Sequence, residues 1–302
     1  MAERPIRVAN APCSWGVLEF EDAQAMVGHP TVLQEMEETG YCGTELGDWG
    51  FLPTEPRALQ EVLAARSLAL CGAFVPVALA DETQHEAGER EALKIARLVA
   101  AASTDAMLVL ADDNGKDPMR VALAGRIRPE HGLSDADWRI FARGAERIAR
   151  AVRQETGLGT VFHHHCAGFI ETPEEVARLM DLTDPDLLGL CLDTGHFSYG
   201  GGDALQAIAR YGDRVRHVHF KDCEPSVAER ARAGGHDYFQ AVGNGVFCEL
   251  GLGIVDFKGI IELLDNRDYG GWIVVEQDVL PGMGTPLDSA RRNRETLRSH
   301  GI

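Results

Sequence analysis

Short apolar or β-branched runs alternate along this chain with longer stretches in which apolar residues recur every three or four positions. This pattern predicts parallel strands joined by helical crossovers. Runs of the first kind fall at residues 6–11, 42–46, 69–74, 106–110, 160–165, 188–193, 215–220 and 272–277. Each is followed by a segment of helical period, at 31–39, 56–66, 86–102, 135–155, 173–180, 203–211, 256–264 and 286–299. The stripe is plainest in the fourth helix, where Trp138, Phe141, Ala142, Ala145, Ile148, Ala149 and Val152 share one face behind a Ser134/Asp137 start. The next helix opens on Thr172, Pro173 and Glu175, which makes Glu175 a helix cap. Eight βα units closing on themselves predict a single-domain (β/α)8 TIM barrel over residues 1–302, with its site at the C-terminal ends of the strands. A nine-strand doubly wound sheet is the competing architecture. Two stretches, 111–133 and 222–255, are long for plain loops and are expected to project from the catalytic face. The second carries Gly234, Gly235, Gly243, Gly245, Gly251 and Gly253, the composition of a mobile or tightly turning lid.

Composition narrows the class. The length of 302 residues suits one α/β barrel, and 45% hydrophobic with 25% charged residues describes a soluble globular chain. No apolar run approaches the roughly 20 residues that cross a bilayer, so a membrane partner is not expected. Asp and Glu number 47 against 29 Lys and Arg, a formal charge of −18 that repels phosphate backbones and argues against nucleic acid as a partner. The seven Cys are odd in number, scattered and free of any CxxC pair, which points to a reducing, cytoplasmic setting. Residues 1–7 hold a proline and charges with no apolar core, so no signal peptide is expected.

The chemistry concentrates at the predicted strand ends. Strand five closes on His163, His164 and His165, followed by Glu171. Strand six reads Cys191-Leu192-Asp193-Thr194-Gly195-His196, strand seven His217-Val218-His219-Phe220-Lys221-Asp222, and strand eight Val274-Val275-Glu276-Gln277-Asp278. Six of the 11 His fall in three consecutive strand ends, among carboxylates that interrupt apolar runs. Alternation puts His217 with His219 on one face, and His163 with His165 on one face. Mixed imidazole and carboxylate donors suit a divalent Mn²⁺, Co²⁺, Fe²⁺ or Zn²⁺ better than Ca²⁺ or a thiolate site. Taken singly, each His also reads as a hydrogen-bonded structural residue, and Asp193 with Thr194 as a turn cap. Convergence on one rim favours a site. Glu45, after strand two, reads either way; His29, His85, His131 and His300 read as surface residues.

The motifs Asn10-Ala11-Pro12-Cys13-Ser14-Trp15-Gly16, His163-x-His165…Glu171-Thr172, Leu190 to His196, His217 to Asp222 and Glu276 occur in order along nearly the whole chain. Together they resemble the xylose-isomerase-like TIM-barrel superfamily of sugar isomerases and epimerases, and within it the inosose dehydratase family. The resemblance implies a metal-dependent carbon–oxygen lyase of inositol breakdown that converts 2-keto-myo-inositol to a trihydroxycyclohexane-dione and water. A keto-sugar epimerase or isomerase using the same site is the alternative. It implies Glu171, Asp193, His219 and Glu276 as metal ligands, with His163 or His165 as the other candidate for the first position. Mn²⁺ or Co²⁺ is the expected ion, with Fe²⁺, Zn²⁺ or Mg²⁺ next. Glu276 and Glu171 are then candidates for moving protons, His196, His165 and Lys221 for protonating the leaving hydroxyl or orienting the substrate, and Trp15, Asn10, Glu45 and His163 for binding it. Apurinic endonucleases share this superfamily's barrel, but the acidic charge opposes that activity. Pairing of exterior helices into a homo-oligomer is an expectation from fold analogy.

Overall fold

The computed structural model describes residues 6–16 and 27–302. Residues 1–5 of the segment read above for a signal peptide lie outside the described residues. The strands are β1 (Arg7–Asn10), β2 (Gly43–Glu45), β3 (Ala69–Val77), β4 (Met107–Asp112), β5 (Gly159–His163), β6 (Leu188–Asp193), β7 (Val215–Phe220), β8 (Asp222–Cys223), β9 (Phe247–Cys248) and β10 (Trp272–Val275). Eight of them close in the order β1-β10-β7-β6-β5-β4-β3-β2, while β8 and β9 form a separate antiparallel pair. Because β1 pairs in parallel with both β2 and β10, the sheet has no edge, and the doubly wound alternative is excluded.

The wall is built from the predicted helices, among them His85–Ala102, Asp135–Thr156, Pro173–Leu182 and Pro286–Ser299. All seven residues of the predicted Trp138 stripe are buried. Phe141 meets Phe162 of β5 edge to face at 5.7 Å, and truncating such a fully buried ring costs about 3–5 kcal/mol. Ser134 accepts from Asp137 N, and Thr172 and Glu175 form a reciprocal capping box, so both helix starts fall where the sequence put them.

Alternation along the strands separates two environments. Val8, Leu70, Phe162, Leu190, Leu192, Val218 and Val275 point outward into the core shared with the helices. Ala9, Ala11, Cys71, Trp272 and Val274 pack together inside the barrel, with Val109, Val161 and Cys191 as a second inner group. Toward the N-terminal end, Trp272 fills the interior. A Cβ on Gly43 would lie 2.5 Å from its ring, and the Arg7 guanidinium sits 4.1 Å from the ring centroid. Glycine at position 43 is what lets the indole cross the bore.

Both long connections carry structure of their own. The first holds helix Pro118–Leu123 and a 3-10 turn at Pro129–His131; the second holds helices Pro225–Gly234 and Tyr238–Gly243 and the β8–β9 pair. Residues from both, with Cys166, Ala167 and Tyr199, form a small second core. The glycine-rich stretch is tightly turned: the Asp222 carboxylate accepts from the backbone N–H of Cys223, Gly251, Gly253 and Val255 at 2.8–3.1 Å.

Candidate metal centre

Register brings the strand ends level. His163 pairs with Cys191 and Asp193 with His219, while Glu276 N donates to Phe220 O and extends the ladder one residue beyond β10. His163, Asp193, His219 and Glu276 all turn inward, and one donor atom from each lies within 4.8 Å of the others. His163 Nε2 is 3.7 Å from Asp193 Oδ2, and His219 Nδ1 is 3.1 Å from Glu276 Oε1. The first three side chains are at most 3% exposed. His163 Nε2, Asp193 Oδ2 and His219 Nδ1 make no hydrogen bond. A buried polar atom left unpaired costs about 1–3 kcal/mol, so several aimed at one point are the mark of a site that receives a ligand. Two imidazole nitrogens and two carboxylate oxygens match a divalent ion of intermediate hardness. Burial pushes the Asp193 and Glu276 carboxyls up, but the facing His163, His219 and Lys221 outweigh it and hold both below the usual carboxylate range.

Glu45 sits beneath this rim. Its Oε1 accepts from His217 Nε2 at 2.8 Å and His219 Nε2 at 2.9 Å, and these imidazoles override burial to bring its carboxyl down to about 2. Lys221 Nζ lies 3.5 Å from Glu276 Oε2, 3.4 Å from Asp278 Oδ2 and 4.9 Å from the Phe247 ring. Burial disfavours its charge, yet Asp278, Glu276 and Asp193 keep the ammonium protonated. The His165 and His196 rings meet at a tilt of 39°, with centroids 3.8 Å apart. Burial, followed by His163 and Lys221, lowers His165 to about 3; burial and His165 lower His196, so both rings are neutral. The carbonyl of Cys166 accepts from His165 Nδ1, and His165 Nε2 faces the Tyr238 hydroxyl at 3.4 Å.

Four sequence expectations are corrected here. Glu171 is not among the four converging groups. A left-handed turn at Ala167 (φ 65°) carries the chain out of the barrel, and the Glu171 carboxylate accepts instead from Gly125 N at 2.7 Å and Ala167 N at 2.9 Å. His163 takes the strand-five corner because its position on β5 faces inward. Asn10 pairs with Val275 and, like it, points to the helical layer, away from the bore, so it does not line the site. Trp15 is 5% exposed, packs in the main core and donates its indole N–H to Glu35, so no ring face is offered to a substrate. His85, read as a surface residue, is buried with Nε2 bonded to Leu79 O.

The structure adds residues the sequence did not single out. Phe74 is 36% exposed and meets the His163 ring edge to face at 5.7 Å. Its only sequence signal was an aromatic at the end of a predicted strand. Tyr238 and Phe247 come from the long second excursion, where no spacing marks them; Asp278 follows the last strand.

Residues 24–300 match the family described as xylose isomerase-like TIM barrel. The chain belongs to that family. Its relatives there include an inosose dehydratase of Geobacillus kaustophilus, 35% identical over 97% of this chain and 94% of that protein. An inosose dehydratase of Lacticaseibacillus casei is 30% identical, with 98% and 97% covered. Among solved structures, the probable 3-DHS dehydratase involved in petrobactin synthesis from Bacillus anthracis superposes with a TM-score of 0.70 over 97% of this chain and 99% of that one. At 14% identity it speaks for the fold alone.

Proposed function

We propose that this chain is a metal-dependent hydro-lyase that removes water from a keto-cyclitol, converting 2-keto-myo-inositol to a trihydroxycyclohexane-dione. The observation that carries the reading is the convergence of donor atoms from His163, Asp193, His219 and Glu276, those of the first three buried and unpaired, in a chain that aligns almost end to end with inosose dehydratases. Mn²⁺ or Co²⁺ is the preferred occupant, with Fe²⁺, Zn²⁺ or Mg²⁺ as alternatives. When bound, such an ion polarises the substrate ketone and makes the neighbouring carbon–hydrogen bond more acidic.

The protein's own groups carry the proton transfers. Glu276, whose Oε2 faces Lys221, takes the proton from the carbon beside the ketone, and the electron pair released forms a carbon–carbon double bond as the β-hydroxyl departs. The Lys221 ammonium delivers the proton with which the β-hydroxyl leaves as water, while the neutral His165, bonded through Nδ1 to Cys166 O, helps to orient the substrate. The enol that remains tautomerises to the dione. The Lys221 ammonium, held charged among carboxylates, steadies the developing negative charge on oxygen. Phe74 covers an apolar face of the ring. The seven thiols are all free, consistent with action in a reducing compartment during inositol breakdown.

The test is to supply the purified protein with Mn²⁺ and follow inosose and a panel of ketohexoses by mass spectrometry and ultraviolet absorbance. The expected result is loss of one water from inosose with growth of dione absorbance. A product of unchanged mass would replace dehydration with epimerisation or isomerisation at the same site.

A further inference from the structure

The sequence left Glu45 as a candidate for binding substrate hydroxyls, but its surroundings suit another task. It lies 3% exposed inside the barrel, and a single oxygen, Oε1, accepts from both His217 and His219. One carboxylate oxygen facing two ring nitrogens at 2.8 and 2.9 Å serves as the shared acceptor, which places a hydrogen of the His219 imidazole on Nε2. An imidazole that ligates a cation keeps one N–H and offers one lone pair. Fixing the hydrogen on Nε2 therefore turns the lone pair of Nδ1 toward Asp193, His163 and Glu276, where Nδ1 makes no hydrogen bond of its own.

Local structure aims Glu45 at this place. The β2–β3 register slips between Thr44 and Glu45, so that Thr44 pairs with Leu70 and Glu45 with Gly72, a bulge that re-aims the side chain. Gly72 leaves the room, since a Cβ there would lie 3.0 Å from Glu45 Oε1. His217, fully buried, grips the same oxygen from the next inward position of β7 and prevents the carboxylate from swinging away.

We propose that Glu45 is a positioning residue that sets the tautomer and orientation of His219, so that Nδ1 is presented to a divalent cation. This rests on the metal reading given above. Outer groups that orient a ligating imidazole characteristically contribute about 10–100-fold to metal affinity. The test uses full-length protein, with Mn²⁺ as the probe. Wild type, Glu45→Gln and Gly72→Ala are compared by calorimetric Mn²⁺ titration, by ¹⁵N shifts of the His219 ring in the metal-free state, and by KM for inosose at saturating Mn²⁺. In wild type the shifts should show a hydrogen held on Nε2 of the ring. Glu45→Gln should weaken Mn²⁺ binding about 10–100-fold with KM unchanged, and Gly72→Ala should weaken it several-fold while leaving every charge in place. Unchanged Mn²⁺ affinity in Glu45→Gln with a raised KM would overturn the proposal and return Glu45 to the substrate. Two Mn²⁺ per chain, one of them lost in Glu45→Gln, would also overturn it by making Glu45 a ligand. Wild type that binds none of Mn²⁺, Co²⁺ or Zn²⁺ would remove the metal reading and the proposal together.

Discussion

The rim of His163, Asp193, His219 and Glu276 and the clamp of Arg120, Glu171 and Glu175 are both buried, both charged and both rich in carboxylate. They differ in what is left over. In the clamp, Arg120 grips Glu175 through two bonds of 2.8 Å. Glu175 also accepts from the backbone of Glu171 and Thr172, and each Glu171 oxygen has a backbone partner. In the rim, inward-facing nitrogen and oxygen atoms have no hydrogen-bond partner. Residue type and burial do not separate a structural cluster from a binding site; spare bonding capacity does.

The sharpest break between the two is Asp193→Asn. It should abolish retention of Mn²⁺, measured by elemental analysis, and lower kcat/KM by about a thousandfold or more, because several kcal/mol of charge stabilisation is lost. Arg120→Met should do the reverse. Leaving Glu175 buried without its partner costs about 3–5 kcal/mol in urea unfolding, while Mn²⁺ affinity stays within about twofold.

Glu171→Gln tests the residue the sequence placed in the wrong group. Burial pushes the Glu171 carboxyl up from 4.5 to about 7. Between those values the folded chain keeps a proton that the unfolded chain has released, so its contribution to stability is present at low pH and lost as pH rises through the window. The ceiling is about 3 kcal/mol. Unfolding at about pH 5 and about pH 7.5 should show a smaller difference in Glu171→Gln than in wild type, with Mn²⁺ retained. Loss of Mn²⁺ in this variant would return Glu171 to the ligand set. The smallest effect belongs to Phe74→Ala, expected to raise KM for inosose about fivefold, roughly 1 kcal/mol of ring contact, without touching metal affinity.

Much of this was legible from spacing. Strand period placed His217 with His219 and put Asp193 at a strand end, and the family resemblance implied three of the four rim residues as ligands, with His163 or His165 as the alternative to Glu171 for the remaining place. Glu171 was not legible, because the path from β5 to the next helix depends on a turn at Ala167 and on Arg120, 48 residues before Gly168, whose carbonyl it binds. Asn10 failed for a simpler reason. In an Ala-Asn-Ala run nothing marks the inner face, and only the pairing with Val275 shows that Asn10 looks outward. His85 was misplaced because its burial needs a neighbour: Gly144 leaves the space its ring occupies, where a Cβ would stand 2.4 Å from Nε2.

The indole of Trp272, lying across the bore beside Gly43, makes the barrel a blind well. Substrate, ion and both products of a dehydration must then share the one doorway at the C-terminal face. Whatever crowds that doorway, an unreleased dione included, will delay the next turnover as surely as a slow chemical step.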